Sequence, residues 1–216
     1  LILSAVLTFG GAALLAVLEW NNPWTLGGMP VWQKLLASLF QSVTTRTAGF
    51  FTVSQAGLTE AGKAVSDMLM FVGGSSGSTA GGLKTVTLGV VVLAAVGTAR
   101  GRSRASVFRH TIPQEKVSQA MTLFMLMLTL AFVGAALICA CSGCSLSAAL
   151  YETVSALATV GLTAGLTATL TTLPKLLLIV FMFFGRVGIM TISIGFLTAS
   201  RAEDRFEYAP ARMLIG

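Results

Sequence analysis

Two short stretches carry residue types that could hold a cation stripped of its water. Thr47-Ala48-Gly49-Phe50 and Thr159-Val160-Gly161-Leu162 each follow a short apolar segment. Glycine permits backbone dihedrals that other residues resist, so a Thr-x-Gly turn can present carbonyl oxygens in a row. Threonine adds a hydroxyl oxygen to the same row. A dehydrated potassium ion needs such oxygens, and potassium filters are built from rings of carbonyls. Thr159-Val160-Gly161 is the closer match to the start of such a filter, and Thr47-Ala48-Gly49 the weaker one. A tight loop between ordinary helices is the plain alternative for either turn alone. Two turns at equivalent places in a repeat favour the filter.

A third candidate is the run Gly73, Gly74, Ser75, Ser76, Gly77, Ser78, Thr79, Ala80, Gly81 and Gly82, which interrupts an otherwise apolar stretch. By composition it is coil. Too few apolar residues precede it to span a membrane, so it reads as a break inside a span. Irregular backbone at membrane depth must line a cavity or be covered by protein, and below a filter it would obstruct the ion path. Arg186 is the other exception, a charge well inside the last apolar run. Such a charge is costly and faces a cavity or partner. In the repeat frame it aligns with Gly74, so arginine and loop are expected at similar depth.

Competing chemistries fare worse. Residues 73–77 form a G-x-S-x-G string, but a nucleophilic serine needs a base. The single histidine, His110, lies in a basic connector. Residues 81–85 lack the glycine spacing of a phosphate-binding loop. Cys139, Cys141 and Cys144 have no second ligand pair and no nearby histidine, which disfavours zinc. They read as small residues at a helix end, with a disulfide open if that end faces an oxidising side. Neither an enzyme nor an organic cofactor is expected.

The elements that must position these residues follow from composition. Only 10% of the 216 residues are charged, against roughly 25% in a soluble domain, and the mean hydropathy is +0.85. Membrane lipid is therefore the expected surrounding of an all-α polytopic chain. Spans are expected over residues 1–20, 64–96 (with the interruption), 117–140 and 173–199. The apolar stretches 31–43 and 146–160 are too short to span and read as re-entrant helices. Arg100, Arg102, Arg104 and Arg109 in one connector, and Arg201, Arg205 and Arg212 in the tail, place both segments in the cytoplasm by the positive-inside rule. Flanking membrane helices explain these arginines better than nucleic acid does, so no nucleic-acid partner is expected. The chain opens on Leu1 within an apolar run, and further N-terminal sequence is expected before it.

An internal repeat ties the candidates together. Ser38-Leu39-Phe40-Gln41-Ser42-Val43 parallels Ala149-Leu150-Tyr151-Glu152-Thr153-Val154, and Met70-Phe71-Val72-Gly73 parallels Met182-Phe183-Phe184-Gly185. The second match keeps the offset between Gly49 and Gly161. The first is one residue out of step, so the second loop carries one extra residue. The expected organisation is a pore repeat at 1–98, a basic connector at 99–113, a second pore repeat at 114–200 and a tail at 201–216. Each repeat reads span, pore helix, filter loop, span.

Residues 40–50, the 73–82 run with Leu83-Lys84-Thr85, Thr159-Val160-Gly161-Leu162 and Gly185-Arg186 resemble the Ktr/Trk/HKT superfamily of potassium transporters, most closely its KtrB-like membrane subunits. The resemblance implies potassium uptake at a bacterial plasma membrane, through a potassium-channel-like pore of four pseudosymmetric span–pore-loop–span units. This chain resembles the third and fourth. It implies filter glycines at Gly49 and Gly161, an intramembrane gating loop at 73–82 and a pore-facing Arg186. It also implies a homodimer, the N-terminal half of the same subunit, and a cytosolic nucleotide-binding regulatory ring of the KtrA-like type. The tail ending at Gly216 resembles the C-terminus of that type. Ala158 is a departure, standing where many relatives have glycine. A broken-helix secondary transporter for sodium or another solute is the alternative.

Overall fold

The computed structural model describes residues 2–75, 78, 80–101, 106, 107 and 110–187. Ser76, Gly77 and Thr79 of the glycine run, Arg102, Arg104 and Arg109 of the connector, the end of the last expected span and the tail with Arg201, Arg205 and Arg212 lie outside the described residues.

The order is helical throughout, apart from one small ladder. Helix α1 (Ile2–Glu19) is followed by the shorter α2 (Val31–Thr44), then α3 (Glu60–Phe71) and α4 (Thr85–Ala99). Strands β1 (Ser106–Val107) and β2 (His110–Thr111) pair antiparallel inside the basic connector. Helix α5 (Gln114–Ser142), α6 (Leu146–Leu157), the single turn α7 (Leu166–Thr169) and α8 (Thr172–Val187) complete the described chain. Helices α1 and α5 are long and apolar enough to cross a membrane. The interrupted span resolves into α3 and α4, with residues 72–84 between them.

Each short helix packs on the span before it, α2 on α1 and α6 on α5. Helix α6 is also held by α3 and α8, which brings the two repeats together. It has no solvent face. From Tyr151 to Leu157 every residue is buried, although Glu152, Thr153 and Ser155 are polar. The core centres there, with Met70 of α3, Met127 and Ala135 of α5, and Leu178 and Phe181 of α8 around it. The outer faces of α1, α5 and α8 carry exposed Phe9, Val17, Phe132, Leu137, Leu176 and Phe183, the pattern of surfaces whose solvent is lipid.

Helix ends are closed locally. Thr59 caps α3 by accepting from the Gly62 N–H at 3.0 Å, and Ser145 caps α6 by accepting from the Ala148 N–H at 3.3 Å. Gly143 ends α5 at φ +62°. The three cysteines are free thiols, and the Cys139 Sγ donates to the carbonyl of Cys144 at 2.8 Å.

A buried carboxylate fastens the start of the first repeat. Glu19, 2% exposed, ends α1 and accepts from the Thr59 N–H and hydroxyl at 2.9 and 2.6 Å. It also accepts from the Thr25 hydroxyl at 2.7 Å and the Asn22 amide at 2.6 Å. Asn22 in turn donates to the Gly57 carbonyl at 2.7 Å. One side chain thus joins the end of α1, the 20–30 turn and the start of α3.

Candidate functional site: two facing turns and an intramembrane loop

The two Thr-x-Gly turns adopt the same unusual backbone. Thr47 and Thr159 have φ of +66° and +56°, and Gly49 and Gly161 follow at +77° and +87°. Among the described residues these threonines are the only non-glycine residues with positive φ. Left-handed β-branched residues are costly and concentrate where function requires them. Ala48 and Val160, between the left-handed positions, are not themselves left-handed. Such alternation lets neighbouring carbonyls face one side of the chain.

The helix ends explain how these turns are held. The Ala48 N–H donates to the Thr44 carbonyl at 3.1 Å, and the Val160 N–H donates to the Ser155 carbonyl at 2.9 Å. Both donors are equivalent positions in the repeat, and so are both acceptors. The first bond closes over four residues and the second over five, so the extra residue of the second repeat is taken up in a wider turn. In both cases the N–H points back to the pore helix and leaves the carbonyl free. The turns also meet: a Cβ on Gly49 would overlap the Val160 carbonyl oxygen and come within 3.9 Å of the Gly161 Cα.

Side chains of the short helices brace the chain after each turn. Gln41 and Gln55 exchange amide hydrogen bonds at 2.6 and 3.0 Å. The equivalent of Gln41 is Glu152, which accepts from the Thr163 hydroxyl (2.6 Å), the Ala164 N–H (3.0 Å) and the Thr167 hydroxyl (2.6 Å). Tyr151 donates to Gln55 Oε1 at 2.8 Å and pins the second repeat to the first. The Thr44 hydroxyl donates to the carbonyl of Phe50. Sequence reasoning aligned Gln41 with Glu152 without giving either a role, and the shared polar position at the middle of each short helix was the available signal.

The described residues of the loop lie under the second turn. Its ends are clamped where the Leu83 N–H donates to the Phe71 carbonyl at 3.1 Å and the Thr85 N–H donates to the Gly74 carbonyl at 3.2 Å. Lys84 donates to the carbonyls of Ser78 and Ala80 at 2.9 and 2.5 Å. The Gly81 N–H donates to Thr159 Oγ1 at 3.1 Å. Beside them, Arg186 helps to line a cavity of about 560 Å³ together with Glu152, Thr159, Gly161 and Phe183. Gly185 packs without a side chain against the Leu157 carbonyl and the Thr159 methyl. Lys84, noted in the sequence only as part of a resemblance, is thus a partner of the loop carbonyls.

Two repeats of span, re-entrant helix, irregular turn and span define a polytopic membrane protein of the ion-pore class. The chain belongs to the TrkH family of cation transport proteins, whose model matches residues 1–207. This is a family of transporters, not of enzymes. The chain is 38% identical over 218 residues to the potassium/sodium uptake protein NtpJ of Enterococcus hirae, covering 99% of this chain and 48% of that protein. It is 36% identical over 208 residues to the Ktr system potassium uptake protein B of Bacillus subtilis, covering 95% and 47%. It therefore spans about half the length of these relatives. The crystal structure of the potassium transporter TrkH from Vibrio parahaemolyticus superposes with a TM-score of 0.69 at 23% identity, over 89% of this chain and 42% of that one. That likeness supports the helical pore-repeat fold.

Proposed function

We propose that this chain is the ion-translocating half of a potassium uptake subunit in a bacterial plasma membrane. Thr47, Ala48, Gly49 and Phe50, with Thr159, Val160, Gly161 and Leu162, supply two of four filter segments. The loop at 73–82, with Arg186, gates the path below them. The observation that carries the reading is the matched left-handed geometry of Thr47/Gly49 and Thr159/Gly161, with Gly49 against the Val160 carbonyl. The proposed division is a pore repeat at 1–98, a cytoplasmic connector at 99–113, a second pore repeat at 114–200 and a cytoplasmic tail.

Two further repeats complete the ring. Support comes from a difference between equivalent positions. Tyr151 and Val154 on α6 are 0% and 3% exposed under α3, whereas Phe40 and Val43 on α2 are 40% and 48% exposed. Helix α2 thus has an apolar face where its counterpart has a neighbour. The N-terminal half of the subunit is the proposed neighbour. The homodimer and the KtrA-like nucleotide-binding ring belong to the same proposal. The name of the Bacillus subtilis relative, a component of a Ktr system, supports a multi-component assembly.

The test is growth of a potassium-uptake-deficient bacterium expressing the complete subunit. Growth at limiting potassium is expected. Growth restored only for another solute would sink the reading, and the Enterococcus hirae relative, named for both ions, makes sodium the necessary control. Deleting residues 75–80 is expected to raise the maximal potassium flux and leave selectivity largely intact. A folded, inserted deletion variant without flux would make the loop structural and end the gating assignment.

A further inference from the structure

The loop and the second filter turn share oxygen atoms. Gly81 donates its N–H to Thr159 Oγ1 at 3.1 Å. Its backbone lies so close that a Cβ would sit 2.7 Å from the Thr159 methyl and 2.8 Å from the Ala158 carbonyl oxygen. Gly82 lies against Ala158 in the same way, its Cβ position 3.1 Å from that of Ala158. The first two oxygens of the turn, the Ala158 carbonyl and the Thr159 hydroxyl, are therefore covered by the loop of the other repeat.

We propose that the docked loop and a potassium ion at the innermost filter position compete for Thr159, so that the transported ion itself loosens the gate; this rests on the filter and gate reading above. A backbone N–H is the positive end of a peptide dipole. A cation drawn to the same hydroxyl meets that positive end at hydrogen-bond distance and is repelled by it. Contact between Gly81 and both oxygens leaves no room for an ion between loop and turn. Occupancy of the innermost position and docking of residues 80–82 are thus mutually unfavourable, and the coupling is reciprocal. Loop docking weakens ion binding at that position by the factor by which the ion weakens docking. Lys84, donating to the carbonyls of Ser78 and Ala80, keeps the loop folded on itself, so that it can leave the turn as a unit.

The test reads loop exposure in the full-length reconstituted transporter. Cys139, Cys141 and Cys144 are replaced by alanine and Ser78→Cys is introduced, Ser78 being exposed in the cavity. The rate of modification by a water-soluble thiol reagent is compared in potassium and in choline at equal ionic strength. Potassium is expected to speed modification roughly 2- to 10-fold, the equilibrium worth of one ordinary hydrogen bond. Thr159→Val, which keeps the shape and removes the acceptor, should be fast in both salts. Thr159→Ser should keep the potassium dependence. Gly81→Ala, which has no space against the turn, should behave as Thr159→Val does. Equal rates in the two salts, or a potassium dependence that survives Thr159→Val, would overturn the competition. If deletion of residues 75–80 raises flux while modification ignores potassium, the competition alone falls. If that deletion leaves flux unchanged, the gate reading falls with it.

Discussion

Replacing Gly49 by alanine is expected to remove most of the transporter's discrimination between potassium and sodium. Two effects act together. The residue sits at φ +77°, where an L side chain is strained, and strain of this kind costs on the order of 1–3 kcal/mol. The added Cβ would also overlap the Val160 carbonyl oxygen, and neither of two backbones can yield as a flexible side chain would. The turn must move, and with it the oxygens of the opposite turn. Gly161 separates the two effects. Its φ is +87°, but nothing lies within 4 Å of its Cβ position among the described residues. Gly161→Ala should therefore cost discrimination by strain alone. We expect the potassium-to-sodium uptake ratio to fall more than about tenfold in Gly49→Ala, a change of about 1.4 kcal/mol, and by less in Gly161→Ala. An unchanged ratio in both variants would remove these turns from the filter.

The second large effect is on assembly rather than selectivity. Glu19→Ala should cost about 3–5 kcal/mol, because it strands four donors that now converge on one carboxylate: the Thr59 N–H and hydroxyl, the Thr25 hydroxyl and the Asn22 amide. A buried donor left without an acceptor costs about 1–3 kcal/mol, and the sum falls short of additive because the donors share one site. Glu19→Gln keeps one acceptor oxygen but turns an amide donor toward other donors, so it should fall between alanine and the native residue. Thermal unfolding of the detergent-solubilised protein measures both. A melting temperature for Glu19→Ala within error of the native value would show that this network is not holding the first repeat together.

The extent to which the sequence disclosed this arrangement depended on distance along the chain. The re-entrant helices were readable because 31–43 and 146–160 are apolar yet too short to span, and α2 and α6 begin within a residue of those starts. The extra residue of the second repeat was readable as a slip between two alignments, and it reappears as a bond closing over five residues rather than four. What could not be read depends on partners far apart. Glu19 reaches Thr59 across 40 residues and Tyr151 reaches Gln55 across 96, and no periodicity records such pairs. The contact of Gly81 with Thr159 spans 78 residues. Composition marked the loop as irregular, but only the packing of α3 on α6 brings it to the turn. The small ladder in the basic connector was likewise missed, because arginines there were read for topology and not for backbone pairing.

The cross-repeat bonds from α6 and the turn that follows it differ in kind. Tyr151, a fully buried phenol, holds Gln55 from the middle of the helix. Thr159, just past its end, holds Gly81 by one backbone N–H. The separation along the helix from Tyr151 to Leu157 is about 9 Å. A buried aromatic anchor at one height and a single exchangeable bond at the other make a hinge with its pin on the far side of the filter. When the lower bond parts, the first repeat can swing at its lower edge while the upper rim keeps its spacing. The mouth on the loop side widens, and the oxygens that sort ions stay at the distance that sorts them.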